Sequence, residues 1–83
     1  MHDRTRAVKL VVETLRSELR LEAFDLTESD ELDLLPGADS VRLMRVVAEL
    51  EERLGVQFDD DRINTANTVG EVVDLVVEAQ LVA

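Results

Sequence analysis

Val8, Val11, Val12, Leu15 and Leu19 recur at spacings of three and four along residues 4–20, which places them on one stripe of an amphipathic helix. The same rhythm returns in Leu43, Met44, Val47, Leu50 and Leu54, and again in Val69, Val72, Val73, Val76 and Val77. Such stripes must be buried against one another, and a chain of 83 residues has room for one core. Phe24 and Phe58 are the sole aromatic residues, so that core is built from Leu, Val, Met and Ala. With no cysteine, neither a disulfide nor a thiolate zinc site can staple it, and helix packing has to hold the fold together.

The punctuation between the stripes sets their limits. Over residues 21–39 the helical period lapses, and Thr27, Ser29, Asp30, Pro36 and Gly37 mark a long loop. Leu21, Phe24, Leu26, Leu32, Leu34 and Leu35 remain in it and are expected to pin it to the core; long loops of this kind are often functional. The second helix is expected to begin at Asp39 or Ser40, either of which can cap the first amides, and to stop at Gly55, with Val56 making an apolar contact after it. Val56 to Phe58 read as extended, and Asp59 to Asn64 as a short helix with Ile63 turned inward. Thr68-Val69-Gly70-Glu71 has the form of a capping box that opens the last helix. That helix is rich in β-branched valine, so packing rather than propensity must stabilise it. The expected architecture is all-α: a four-helix bundle of three long helices and one short, with a long loop between the first two, in a single domain over residues 1–83.

Charge narrows the partners. Nineteen acidic against nine basic residues give a formal net charge of -10, which repels nucleic acid backbones and anionic membrane surfaces and favours basic protein partners. Arg4, Arg6, Lys9, Arg16 and Arg20 concentrate in the first quarter, while acid dominates from Glu22 to Asp33. No apolar run approaches the length of a membrane span, and Met1-His2-Asp3-Arg4 does not open a secretory signal, so a soluble, cytoplasmic monomer is expected. Autonomous catalysis lacks a base: the one histidine, His2, lies at the extreme N-terminus. Asp59-Asp60-Asp61 lacks the alternating ligands and central glycine of a calcium loop and reads as an acidic helix start.

Gly37-Ala38-Asp39-Ser40-Val41 delivers a hydroxyl to the first turn of the second helix. By physics alone, serine or aspartate at such a place is usually a cap. The stretch from Leu32 to Val56, with this pentapeptide followed by a helix ending Glu49-Leu50-Glu51-Glu52-Arg53-Leu54-Gly55-Val56, resembles the acyl and peptidyl carrier proteins. Thr68-Val69-Gly70-Glu71-Val72-Val73 is similar to the start of that family's final helix, so the likeness extends over most of the chain. The resemblance implies a carrier-protein bundle in which Ser40, preceded by Asp39, accepts 4'-phosphopantetheine from coenzyme A. It implies a non-catalytic protein whose arm supplies the thiol that the chain lacks and presents an acyl or aminoacyl thioester to other enzymes. The partners implied are a phosphopantetheinyl transferase, a loading enzyme and downstream synthases or transferases, with Val41, Arg42, Met44, Arg45 and Glu49 as candidate partner-binding residues.

Pro36 and Val41 stand where fatty acid carriers usually show leucine on either side of the motif. Those carriers also present an acidic second helix to basic enzymes, whereas this one places Arg42 and Arg45 beside Met44. Ser40-Val41-Arg42-Leu43-Met44 is closer to carriers of specialised polyketide or nonribosomal peptide biosynthesis. The alternatives are a carrier for fatty acid synthesis, with an apolar cavity for a long chain, and a helical adaptor whose serine merely caps.

Overall fold

The stripes form four helices: α1 spans Arg4–Leu19, α2 Ser40–Leu54, α3 Asp60–Thr65 and α4 Val69–Val82. They are seen in a computed structural model that describes residues 4–21 and 25–82, without the side chains of 81 and 82. His2 and Phe24 lie outside the described residues. α1 packs along both α2 and α4, and α3 rests against α4.

The buried stripe of α1 is Ala7, Val11, Thr14, Leu15 and Leu19, with Val8 packed partly against it and Val12 half-buried. Thr14 sits among aliphatic neighbours because its Oγ1 donates to the Leu10 carbonyl at 2.8 Å, which leaves no unsatisfied hydroxyl in the core. From α4 come Val69, Val72, Val73, Leu75 and Val76, and from α2 Val46 and Leu50. Met44, expected on the α2 stripe, is instead 70% exposed. Steps of three and four back from Leu50 reach Val47, Val46 and Leu43, whereas Met44, six residues back, lies about 120° around the helix.

Leu21, Leu32 and Leu35 of the α1–α2 connection are buried, and Leu26 is partly so. Leu34 is 75% exposed, contrary to expectation. The reason is local: Leu32–Leu34 is a single 3-10 turn, so Leu32 and Leu35 align on the core side and Leu34 points away.

This connection is tied to the start of α4. The amide of Leu32 donates to Asn67 O at 2.8 Å, that of Val69 to Asp30 O at 3.0 Å and that of Gly70 to Glu28 O at 2.9 Å, around an isolated antiparallel bridge between Glu31 and Thr68. Loop carbonyls thus satisfy two of the four amides that a helix start leaves without partners. Thr68 Oγ1 accepts a third, from Glu71 N at 3.2 Å, while the Glu71 carboxylate accepts from Asn67 N at 3.3 Å, a capping box shifted by one residue. Arg4 closes the strap from outside through Glu28 and Asp74, and those hydrogen bonds, Glu28 first, hold its guanidinium pKa above the ordinary value.

A Cβ at residue 70 would lie 3.0 Å from Glu28 O and 3.2 Å from Glu28 Cβ, tighter than ordinary contact, so any side chain there requires the strap to give by a few tenths of an ångström. Gly70→Val is expected to push the strap off α4 and cost about 2 kcal/mol in urea unfolding, the usual penalty of overpacking. Faster hydrogen exchange at the Val69 amide should accompany the loss. Unchanged exchange would show that the strap does not depend on this contact.

Candidate functional site

The α1–α2 connection ends in a turn closed by the Ala38 amide, which donates to Leu35 O at 3.0 Å. Gly37 within it has φ 77°, a left-handed conformation that a side chain strains, and a Cβ there would also meet Arg42 Nη1 at 3.3 Å. The chain then extends through Asp39 (φ -147°, ψ 170°) and enters α2 at Ser40.

Of the two possible caps, Asp39 is the one used. Its Oδ1 accepts from the Arg42 amide at 2.8 Å, and its Oδ2 lies 3.8 Å from Arg42 Nε. Ser40 is the first helical residue. Its side chain is exposed, and its hydroxyl has no hydrogen-bond partner among the described residues. The amides of Ser40 and Val41 precede the first intrahelical bond, which runs from Leu43 N to Asp39 O at 2.9 Å. With the dipole of a 15-residue helix behind them, they favour an anion at this position. Asp39 therefore leaves the serine free of a capping duty and holds Arg42 beside it.

Val41 is 58% exposed, and Arg42, Met44 and Arg45 share the same solvent face of α2. Glu49 is turned partly inward: its Oε1 pairs with Arg53 at 3.8 Å, and its Oε2 is buried with no hydrogen-bond partner among the described residues. Four of the five candidate partner-binding residues thus lie together in solvent, and the fifth is engaged within α2.

On its other side, Ser40 borders a groove of about 570 Å³ between α2 and α3. Leu43, Met44, Val46, Val47 and Ala48 form one wall, Ile63 and Ala66 the other, and Leu15, Leu32 and Val72 complete its apolar lining. Asp33, Asp60, Asn64 and Asn67 add polar groups. Sequence periodicity did not reveal this groove, since it depends on how α3 and the strap stand off α2. Asp59, expected to start a short helix, does so: its Oδ1 accepts from Asp61 N at 2.9 Å and Arg62 N at 3.2 Å. Among the described residues no helix is long and apolar enough to cross a membrane.

A small helical bundle that presents an unpartnered serine hydroxyl at a helix start, beside an apolar groove, has the form of a carrier domain. Residues 9–76 match the family described as the phosphopantetheine attachment site, and the chain belongs to that family, whose cofactor is covalently attached 4'-phosphopantetheine. The chain is 36% identical over 61 residues to an acyl carrier protein of Renibacterium salmoninarum, covering 71% of this chain and 70% of that one. It is 35% identical over 51 residues to an acyl carrier protein of Tropheryma whipplei, covering 61% of this chain and 57%, a little over half, of the relative. A polyunsaturated fatty acid synthase polypeptide of Thraustochytrium is 37% identical over 71 residues, 83% of this chain and 2% of that protein.

Proposed function

We propose that this chain is an acyl or aminoacyl carrier whose 4'-phosphopantetheine is attached at Ser40. The observation that carries the reading is the Ser40 hydroxyl itself, exposed at the first position of α2, unpartnered among the described residues and relieved of capping by Asp39. In the modification, Ser40 Oγ attacks the β-phosphorus of coenzyme A. The Oγ–P bond forms, the pyrophosphate P–O bond breaks and adenosine 3',5'-bisphosphate leaves, while a base of the transferase takes the hydroxyl proton. The Ser40 and Val41 amides and the helix dipole suit the resulting phosphodiester. The bound group supplies a thiol for thioester linkage, which this cysteine-free chain cannot supply. The chain holds its cargo and catalyses nothing, and its partners are a phosphopantetheinyl transferase, a loading enzyme and the enzymes that use the cargo.

Within that role we place it in specialised biosynthesis, on the mixed charge of the α2 face, where Arg42 and Arg45 stand beside Val41 and Met44. A fatty acid role has an observation of its own: the groove beside Ser40, at about 570 Å³, falls in the size range of small-molecule sites. The likeness to a polyunsaturated fatty acid synthase points the same way.

One experiment tests both levels. Incubation with coenzyme A, magnesium and a promiscuous phosphopantetheinyl transferase should add a single phosphopantetheine, mapped to Ser40 by tandem mass spectrometry. No adduct on folded protein would refute the carrier reading and leave a helical adaptor. Loading the product with an octanoyl group should leave the amide shifts of Val46, Val47 and Ile63 in place if cargo stays outside; large shifts there would favour the fatty acid role.

A further inference from the structure

The three exposed large hydrophobic side chains among the described residues, Leu34, Val41 and Met44, all lie in α2 or in the short segment leading into it. Val41, Met44, Arg45 and Ala48 are spaced three and four apart, so they form one continuous stripe; all four are exposed, and Met44 and Ala48 also edge the α2–α3 groove. The charges around this stripe differ in their pairing. Arg42 faces the Asp39 carboxylate at 3.8 Å, and Arg53 faces Glu49 at 3.8 Å. Arg45 has no ion-pair or hydrogen-bond partner among the described residues, although acidic residues outnumber basic ones 19 to 9. The carboxylate one turn on, Glu49, pairs with Arg53, and the next along the line is Glu52, seven residues on and about 10 Å along the axis, comparable with the Debye length at physiological salt.

An exposed apolar patch marks an interaction surface, and a cation at its centre that forms no ion pair among the described residues sets the sign of what can cover it. We infer that α2 docks on an enzyme face that presents carboxylates around an apolar depression, with Arg45 opposite those carboxylates. The partner's sign at this spot is therefore opposite to that expected from the net charge of the chain. A basic enzyme face would meet Arg45 with like charge and leave it desolvated without a partner, which rejects that enzyme. Asp33, Asp39, Glu49, Glu51 and Glu52 are the acidic side chains nearest in sequence or on the helix, and Glu51 accepts from the Phe58 amide at 2.8 Å. Asp39 and Glu49 are engaged with arginines, Asp33 lies at the groove, and Glu52 stands at the far end of the stripe.

This inference rests on Ser40 as the attachment site, so the protein is first converted with coenzyme A and its adduct checked by intact mass. The probe is a malonyl transferase of bacterial fatty acid synthesis with a basic docking face, used unaltered and with that face's basic residues replaced by glutamate. On verified modified protein, Arg45→Glu should raise kcat/KM with the basic enzyme about tenfold, with Arg45→Ala between, and the gain should shrink as salt rises. The acidic version of the enzyme should prefer unaltered Arg45 by a similar factor. Circular dichroism should report the same fold for all variants, since Arg45 touches no partner. Equal rates for the parent and the Arg45→Glu variant with both enzymes would overturn the inference and leave the Ser40 reading intact. Failure to form the adduct would overturn both, and is seen before any transferase for malonyl groups is added.

Discussion

Ser40→Ala is expected to fold as the parent does and to take up no phosphopantetheine at all. The two halves of that result have separate causes. Without Oγ there is no nucleophile for coenzyme A, and the loss of the mass adduct should be complete. The fold should be indifferent because Asp39, not Ser40, accepts from the Arg42 amide, so no cap is removed. Alanine is also a slightly better helix former than serine, which puts the change in stability within about 0.5 kcal/mol in either direction. If Ser40 were a cap, its loss would instead cost about 1 kcal/mol.

The neighbouring substitution inverts the pattern. Asp39→Ala keeps the hydroxyl but removes both the cap and the anchor of Arg42, and should cost about 1 kcal/mol while leaving a modifiable serine. Measured side by side by thermal unfolding and intact mass, the pair separates the residue that reacts from the residue that holds the helix start. An adduct on Ser40→Ala would move the attachment to another side chain and end the present reading.

What the sequence made legible follows how far each determinant reaches along the chain. The Gly55 stop, with φ 65° and its amide donating to Glu51 O, and the Thr68–Glu71 cap are settled within a single turn, so residue types sufficed. The choice between Asp39 and Ser40 depended on one step of backbone register that no residue type announces. Met44 and Val46 exchanged places because both are apolar and near the stripe; their angle from Leu50 separates them. Leu34 was misplaced for want of any period to read, since a 3-10 turn of three residues leaves no pattern. The strap from residues 28–32 to the start of α4 is made of main-chain carbonyls, which every sequence possesses, and it was invisible for that reason. Ser40 itself was found through resemblance; geometry then contributed its exposure, its freedom from capping and the groove beside it.

The core that carries α2 makes the second large prediction. Leu50→Ala should lose about 3 to 5 kcal/mol in urea or thermal unfolding, the upper range for leucine truncation. Leu50 is fully buried, and the other large side chains fully buried in the same core, among the described residues, are Leu15, Thr14 and the valines 11, 69, 73 and 76. Valine is branched at Cβ and held to few rotamers, so the valines of this core have little freedom to swing into space left by an isobutyl group. Methionine is the usual adaptable filler, but Met44 points into solvent. The cavity should therefore persist and add its own cost to the lost transfer energy. For 83 residues, total stability is expected near 4 to 12 kcal/mol, roughly 0.05 to 0.15 per residue, so the variant should have lost about a quarter of it or more. At about 4 to 8 °C per kcal/mol, the midpoint should fall by roughly 12 to 40 °C. Leu34→Ala, of identical chemistry at a 75% exposed position, should change stability by less than about 0.5 kcal/mol. A loss below about 1.5 kcal/mol at Leu50 would mean that the helices close over the gap, and that the α2–α3 groove is bounded by a core able to yield.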